Sequence, residues 1–186
     1  MTEEGAIDVL DTTTTGSIES RDQPPRRWEL IPLPKITDPR GNLTFIESTR
    51  HVPFQILRVY YLYDVPGGAE RGGHAHRNLS QVLISVAGAL EVTLDDGFRR
   101  EKVQLNRANK GLIIRPRVWR ELGGFTSGAV CVILASHFYD ESDYCRDYDD
   151  FLNMVGSRFS SFSKPDNLGL SRGGGSDEPT TGGLLS

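Results

Sequence analysis

Residues 81–105, QVLISVAGALEVTLDDGFRREKVQL, read as three short strands joined by two turns. Gly88 marks the first turn. Asp96-Gly97 marks the second, because glycine accepts the positive φ that a tight hairpin requires. Within ALEVTLD, Leu90, Val92 and Leu94 fall on one face, and Glu91, Thr93 and Asp95 on the other. A period of two is the signature of a strand with one face in a core. Working outward, NLTFIES (42–48) alternates in the same way, and FQILRVYYLY (54–63) is a β-rich run with three tyrosines. GLIIRP (111–116) and AVCVILAS (129–136) predict two more strands, the first stopped by a proline that cannot donate to a ladder. One short helix is expected over DYDDFLNMVG (147–156), with acidic residues at its start and Gly156 at its end. Many short strands and one helix predict an all-β sandwich or barrel.

The remainder of the 186 residues sets the limits of that domain. Residues 1–27 are polar, rich in Thr and Ser, and contain Pro24-Pro25; they predict an arm, disordered or loosely docked. Residues 160–186 predict a flexible glycine-rich tail, which leaves 28–159 as the folded unit. A net charge of −4 argues against a general nucleic-acid binder. No apolar run approaches the roughly 20 residues that a membrane helix needs, so no membrane partner is expected. The N-terminal residues lack the basic and apolar regions of a signal peptide, and the two cysteines, Cys131 and Cys145, do not suggest a disulfide framework. A cytoplasmic protein is the expectation.

Chemistry concentrates in RGGHAHRN (71–78). In an extended strand His74 and His76 point to one face, so both imidazoles can look into one cavity. Counted from Gly68 through the histidines to Gln81 and Gly88, the spacing resembles the first motif of the cupins, small double-stranded β-helix barrels. That motif implies a metal held by both histidines, a glutamate and a further histidine. Here Gln81 stands at the glutamate position, and Arg120 falls where the further histidine is expected. A neutral amide is a poor ligand for a hard cation and a guanidinium is none. The expectation is therefore a barrel with no metal and no cofactor, whose histidines move protons. Tyr60, Tyr61 and Tyr63 lie in one strand, with Tyr61 and Tyr63 on the face opposite Tyr60. A phenol can return a proton or steady an oxyanion, although some of the three must pack the core. Arginines suited to phosphate, among them Arg40, Arg71 and Arg120, lie in or beside the predicted strands.

The run RVYYLYDVPGGAERGGHAHRNLSQVLISVAGALEVTLDDG (58–97) resembles the cupin sugar 3,4-ketoisomerases that act on dTDP-4-keto-6-deoxyglucose. So do DPRGNLTFIE (38–47), GLIIRPRVWREL (111–122) and LASHFYDESDYCRDYDDFL (134–152). The resemblance implies a cupin barrel and a homodimer in which N-terminal strands pair with the partner subunit. It implies a dTDP-linked 4-keto-6-deoxyhexose as substrate. A base removes the C3 proton, an enediol forms, and C4 is protonated, without a metal. His74 and His76 carry over as the acid–base pair, one of them the base, and Tyr61 as the proton relay. Arg71 and Arg40 match positions near the pocket and carry over as contacts for diphosphate or sugar, and Gln81, Arg120 and Tyr63 are further candidate substrate-binding residues. Two departures stand out: Arg120 where a histidine follows the tryptophan, and His137 where an acidic residue is expected. Two other readings remain at this stage: an epimerase of the same 4-keto sugar on the same barrel, and a nucleotide-sugar-binding cupin without catalysis.

Overall fold

The computed structural model describes residues 25–156. Most of the predicted arm and all of the predicted tail lie outside these residues. Of the arm, Arg26 contacts Glu101 at 3.0 Å, and the Arg27 carbonyl accepts the Arg115 amide, so this end is tied to the barrel.

The chain runs through β1 (Trp28–Pro32), β2 (Lys35–Asp38), β3 (Gly41–Thr44), β4 (Arg58–Leu62), β5 (Arg71–His76) and β6 (Gln81–Ala87). Then come β7 (Leu90–Asp95), β8 (Arg100–Leu105), β9 (Lys110–Ile114), β10 (Trp119–Gly123), β11 (Val130–Ala135), β12 (Tyr144–Cys145) and α1 (Tyr148–Val155). Two five-stranded antiparallel sheets form the body, in the orders β1-β9-β6-β11-β4 and β12-β5-β10-β7-β8. They close on each other as a cupin barrel. The three strands read from residues 81–105 are β6, β7 and β8; β7 pairs with β8, while β6 goes to the other sheet between β9 and β11.

The interior is filled by the alternate residues that the pattern picks out. Leu90, Val92 and Leu94 from β7 meet Leu83, Leu112, Ile114, Cys131 and Ile133 from the opposite sheet. The outer face of the first sheet is apolar as well. Val82, Ile84, Ile113 and Leu134 are covered by Leu33 and Val52, with Ile46, Phe54 and Ile56 packed against them. This is why QVLISVA reads as a continuous apolar run rather than a clean alternation: the middle of β6 is buried on both sides. A third cluster lies outside the second sheet, where Phe151 of α1 packs on Trp119, Ala75 and Cys145. Asp147 caps α1 by accepting the amides of Asp149 and Asp150, and Gly156 closes it in the left-handed region at φ 66°. The helix therefore holds the short strand β12 against β5, and β12 edges the functional end of the barrel.

Candidate active site

The motif glycines shape the strand that carries the histidines. Gly72 has φ +86°, and a Cβ there would lie 2.7 Å from the Arg120 carbonyl oxygen. The pairing of β5 with β10 shifts register at this point, between Arg120 and Glu121. Only a residue without a side chain lets the backbones approach so closely at positive φ. Beyond it, His74 pairs with Arg120, and both imidazoles turn to the barrel interior.

The rings of His74 and His76 meet edge to face at 4.9 Å between centroids. Both pack on Tyr144 of β12, at 4.9 and 4.3 Å. Burial pushes the His74 imidazole down to about 3, with the nearby Arg120 charge adding to it. Burial and then Arg120 lower His76 further still. Both histidines are thus neutral near pH 7, the form that accepts a proton. His76 is fully buried, with Nδ1 3.0 Å from Asp143 Oδ2, while its Nε2 has no protein partner.

Opposite the histidines stands Arg120, 1% exposed, with Nε, Nη1 and Nη2 all lacking a hydrogen-bond partner. Burial pulls it down to about 10, while Tyr60, Tyr144 and Asp143 act the other way, so it keeps its charge at neutral pH. A buried cation without a partner is costly to hold in a fold, and functional sites are where such costs are retained. Tyr60 of β4 faces the same space. Its hydroxyl oxygen accepts a 2.7 Å hydrogen bond from Gln81 Nε2. Because Gln81 supplies that donor, the phenolic proton of Tyr60 stays free to be given elsewhere. Burial raises Tyr60 to about 12, so it remains a phenol. Arg58 lies over the rings of Tyr60 and Tyr139, at 5.1 and 5.6 Å, and links the two edges of the barrel mouth.

The structure brings together His74, His76, Gln81 and Arg120. It does not bring Tyr61 and Tyr63 to them: these stand on the outer face of the sheet, 60% and 59% exposed, with their rings 5.6 Å apart. The parity within RVYYLY was right, and the inward member is Tyr60. Arg71 is exposed at the start of β5. Arg40 lies at the turn between β2 and β3, 90% exposed and paired with Asp38 at 2.6 Å. Sequence reasoning missed Asp143 and Tyr144, although both lie in the quoted segment LASHFYDESDYCRDYDDFL, while Arg58 is one of the strand arginines it offered. The remoteness of that segment along the chain hid the contact with His76. Among the described residues, no three His, Cys, Asp or Glu side chains gather to hold a metal ion.

The fold and site define a cupin barrel with two neutral imidazoles, a phenol and a buried guanidinium at one end. The model of the family "FdtA: WxcM-like, C-terminal" matches residues 26–156, and the chain belongs to that family. A TDP-4-oxo-6-deoxy-alpha-D-glucose-3,4-oxoisomerase of Aneurinibacillus thermoaerophilus is 45% identical over 127 residues, 68% of this chain and 91% of that protein. A 3,4-ketoisomerase from Helicobacter canadensis superposes with a TM-score of 0.68 at 43% identity, covering 70% of this chain and 98% of that one. QdtA, a sugar 3,4-ketoisomerase from Thermoanaerobacterium thermosaccharolyticum in complex with TDP, superposes with a TM-score of 0.69 at 41% identity, covering 72% and 97%.

Two variants of QdtA bear on Arg120. One has asparagine for histidine at its position 51 and holds TDP-4-keto-6-deoxyglucose. The other replaces tyrosine by arginine at position 17 and arginine by histidine at position 97. Setting that histidine on His74, the same spacing falls on Arg40 and Arg120 of this chain. Setting it on His76 gives Asn42 and Leu122, and no arginine at the third position. By that spacing an arginine of QdtA falls on Arg120 of this chain.

Proposed function

We propose that this protein isomerises dTDP-4-keto-6-deoxyglucose to its 3-keto isomer, by moving a proton from C3 to C4 through an enediol. The observation that carries this reading is Arg120, a buried cation without a partner, set beside two neutral imidazoles. A neutral imidazole can take the C3 proton, and a preorganised cation in a water-poor site stabilises the enediolate oxygen that results. His74 is the base: it is the less buried of the two and matches the histidine replaced in the substrate-bound QdtA variant. Tyr60, its proton free of Gln81, takes the relay role that the resemblance had carried to Tyr61. Arg71 remains in the reading as an exposed contact for the nucleotide end of the substrate.

The chain acts as a homodimer in this reading. The β2–β3 hairpin pairs with no other strand among the described residues, and Ile36 and Leu43 on it are more than half exposed. An isolated hairpin is marginal in water, and pairing with a second copy would cover it and bring Arg40 to a neighbouring barrel. Light scattering of the purified protein reads this directly, and a monomer would remove it. The free thiols of Cys131 and Cys145 fit a reducing, cytoplasmic setting, and among the described residues no helix is long and apolar enough to cross a membrane.

The test is proton NMR of the nucleotide sugar incubated with the protein in D₂O. The expected outcome is loss of the C3 proton signal as a 3-keto species grows, and neither change with His74→Asn. Exchange at C3 and C5 with the ketone left at C4 would mark an epimerase instead.

A further inference from the structure

Ketone migration between neighbouring carbons needs two proton movements. One proton leaves C3 and one arrives at C4; the C3 hydroxyl also loses its proton, and the former C4 ketone oxygen gains one. His74 serves the carbon atoms in the reading above. The structure holds a second imidazole with a different kind of support.

Asp143 precedes β12 in the single 3₁₀ turn Glu141–Asp143. Its carboxylate is surrounded by donors. Oδ1 accepts the Asn78 amide at 2.8 Å, Oδ2 accepts the Leu79 amide at 3.3 Å, and Oδ2 lies 3.0 Å from His76 Nδ1. The Asp143 carbonyl also accepts the Arg77 amide at 2.9 Å. With backbone N–H groups on both oxygens, the carboxylate can only accept from His76, so the imidazole proton sits on Nδ1. That leaves Nε2 as a lone pair, buried, without a protein partner and beside Arg120.

We propose that Asp143 is a positioning residue that fixes His76 in the Nδ1–H tautomer, so that Nε2 accepts the sugar hydroxyl proton and hands it to the adjacent ketone oxygen. The inference rests on the ketoisomerase reading. The step balances: His74 takes the C3 proton as C3=C4 forms and the C4–O4 bond becomes single, leaving an enediolate on O4. O3 then gives its proton to Nε2, which hands it to O4, and the charge left on O3 forms the C3=O3 double bond as the C3=C4 pair takes up at C4 the proton relayed from His74. While the proton is in transit, the Asp143 carboxylate faces the imidazolium and offsets the Arg120 charge.

Asp143→Asn is the discriminating change. The amide must turn its NH₂ toward one of three donors. The Asn78 backbone amide is the shorter contact and cannot change its chemistry, whereas an imidazole can. The NH₂ therefore faces His76, Nδ1 becomes the acceptor, and the proton moves to Nε2. The experiment is the long-range ¹H–¹⁵N spectrum of the imidazoles together with steady-state kinetics. Expected are Nδ1–H for His76 in the native protein, Nε2–H in Asp143→Asn, and kcat lowered at least a hundredfold with KM within about threefold. Native His76 protonated on Nε2 overturns the proposal. So does an unchanged kcat after the tautomer switches, or a lost kcat with the tautomer unchanged. Should Asp143→Asn not fold, His76→Asn decides, since its amide stands where Nδ1 does and can still donate to Asp143 but cannot carry a proton: a retained kcat overturns the proposal. The spectrum is recorded without substrate, so a native protein that fails to exchange the C3 proton sinks the ketoisomerase reading separately.

Discussion

At the scale of single residues, Arg120 shows function and stability pulling in opposite directions. Its guanidinium is fully desolvated and makes no hydrogen bond within the protein. Replacing a buried charge by an apolar side chain of similar volume is often neutral or stabilising. Arg120→Met should therefore leave the melting temperature unchanged or raise it, while kcat falls by about 10²-fold or more, the usual loss when a preorganised donor is removed. Calorimetry and kinetics on one preparation check both halves. A variant that is inactive and also markedly less stable would mean the guanidinium is held by the fold rather than for a ligand. Sequence led to His74 and His76 through their spacing, and to Gln81 and Arg120 through the resemblance to the cupin motifs. The resemblance pointed to Tyr61 rather than Tyr60, and the residues could not correct it, because Val59 and Tyr61 on one face are as apolar as Tyr60 and Leu62 on the other. Which face turned inward was set by Leu62 and Tyr60 packing against the barrel core.

At the scale of elements, β5 depends on Gly72 and the C-terminal segment depends on α1. Gly72→Ala puts a methyl group 2.7 Å from the Arg120 carbonyl in a backbone conformation at φ +86°. Nothing there can move except the strands themselves. The expected result is a loss of more than about 1 kcal/mol in denaturant unfolding, with His74 displaced and activity lost beyond what stability explains. An alanine variant with native stability and rate would show that the β5–β10 bulge relaxes freely. The helix was legible from its acidic start and its terminal glycine. Its purpose was not: Phe151 and Trp119 anchor the segment that brings Asp143 and Tyr144 to the histidines, a contact across 67 residues of chain for His76 and Asp143.

For the whole molecule, the buried histidines tie stability to pH. His74 titrates at about 3 when folded and near 6.5 when unfolded, and His76 is lowered in the same direction. Below 6.5 the unfolded chain takes up protons that the native state refuses, so stability falls as pH drops from 6.5 toward 3. Each histidine contributes up to about 1.4 kcal/mol per pH unit in that window. Urea unfolding at pH 7.5, 6 and 5 should show the decline, and His74→Asn should make it shallower. Equal slopes in the two proteins would place the titration elsewhere.

The sequence by itself determined β3, β4, β6 to β9 and β11, the Asp96-Gly97 hairpin, the terminal helix and the presence of a histidine pair on one face, while β1, β2, β10 and β12 were not legible in it. The legible features follow from local rules: side-chain period, the φ range of glycine, and end signals of a helix. The tertiary structure decided which tyrosine enters the barrel and that Gln81 donates to its phenol. It also decided that Asp143 reaches His76 and that Arg120 is left without a partner. Those outcomes depend on which sheet face closes inward and on contacts between distant segments. Burial, through the loss of water around His74, His76 and Arg120, then gives the same side chains their altered charge states.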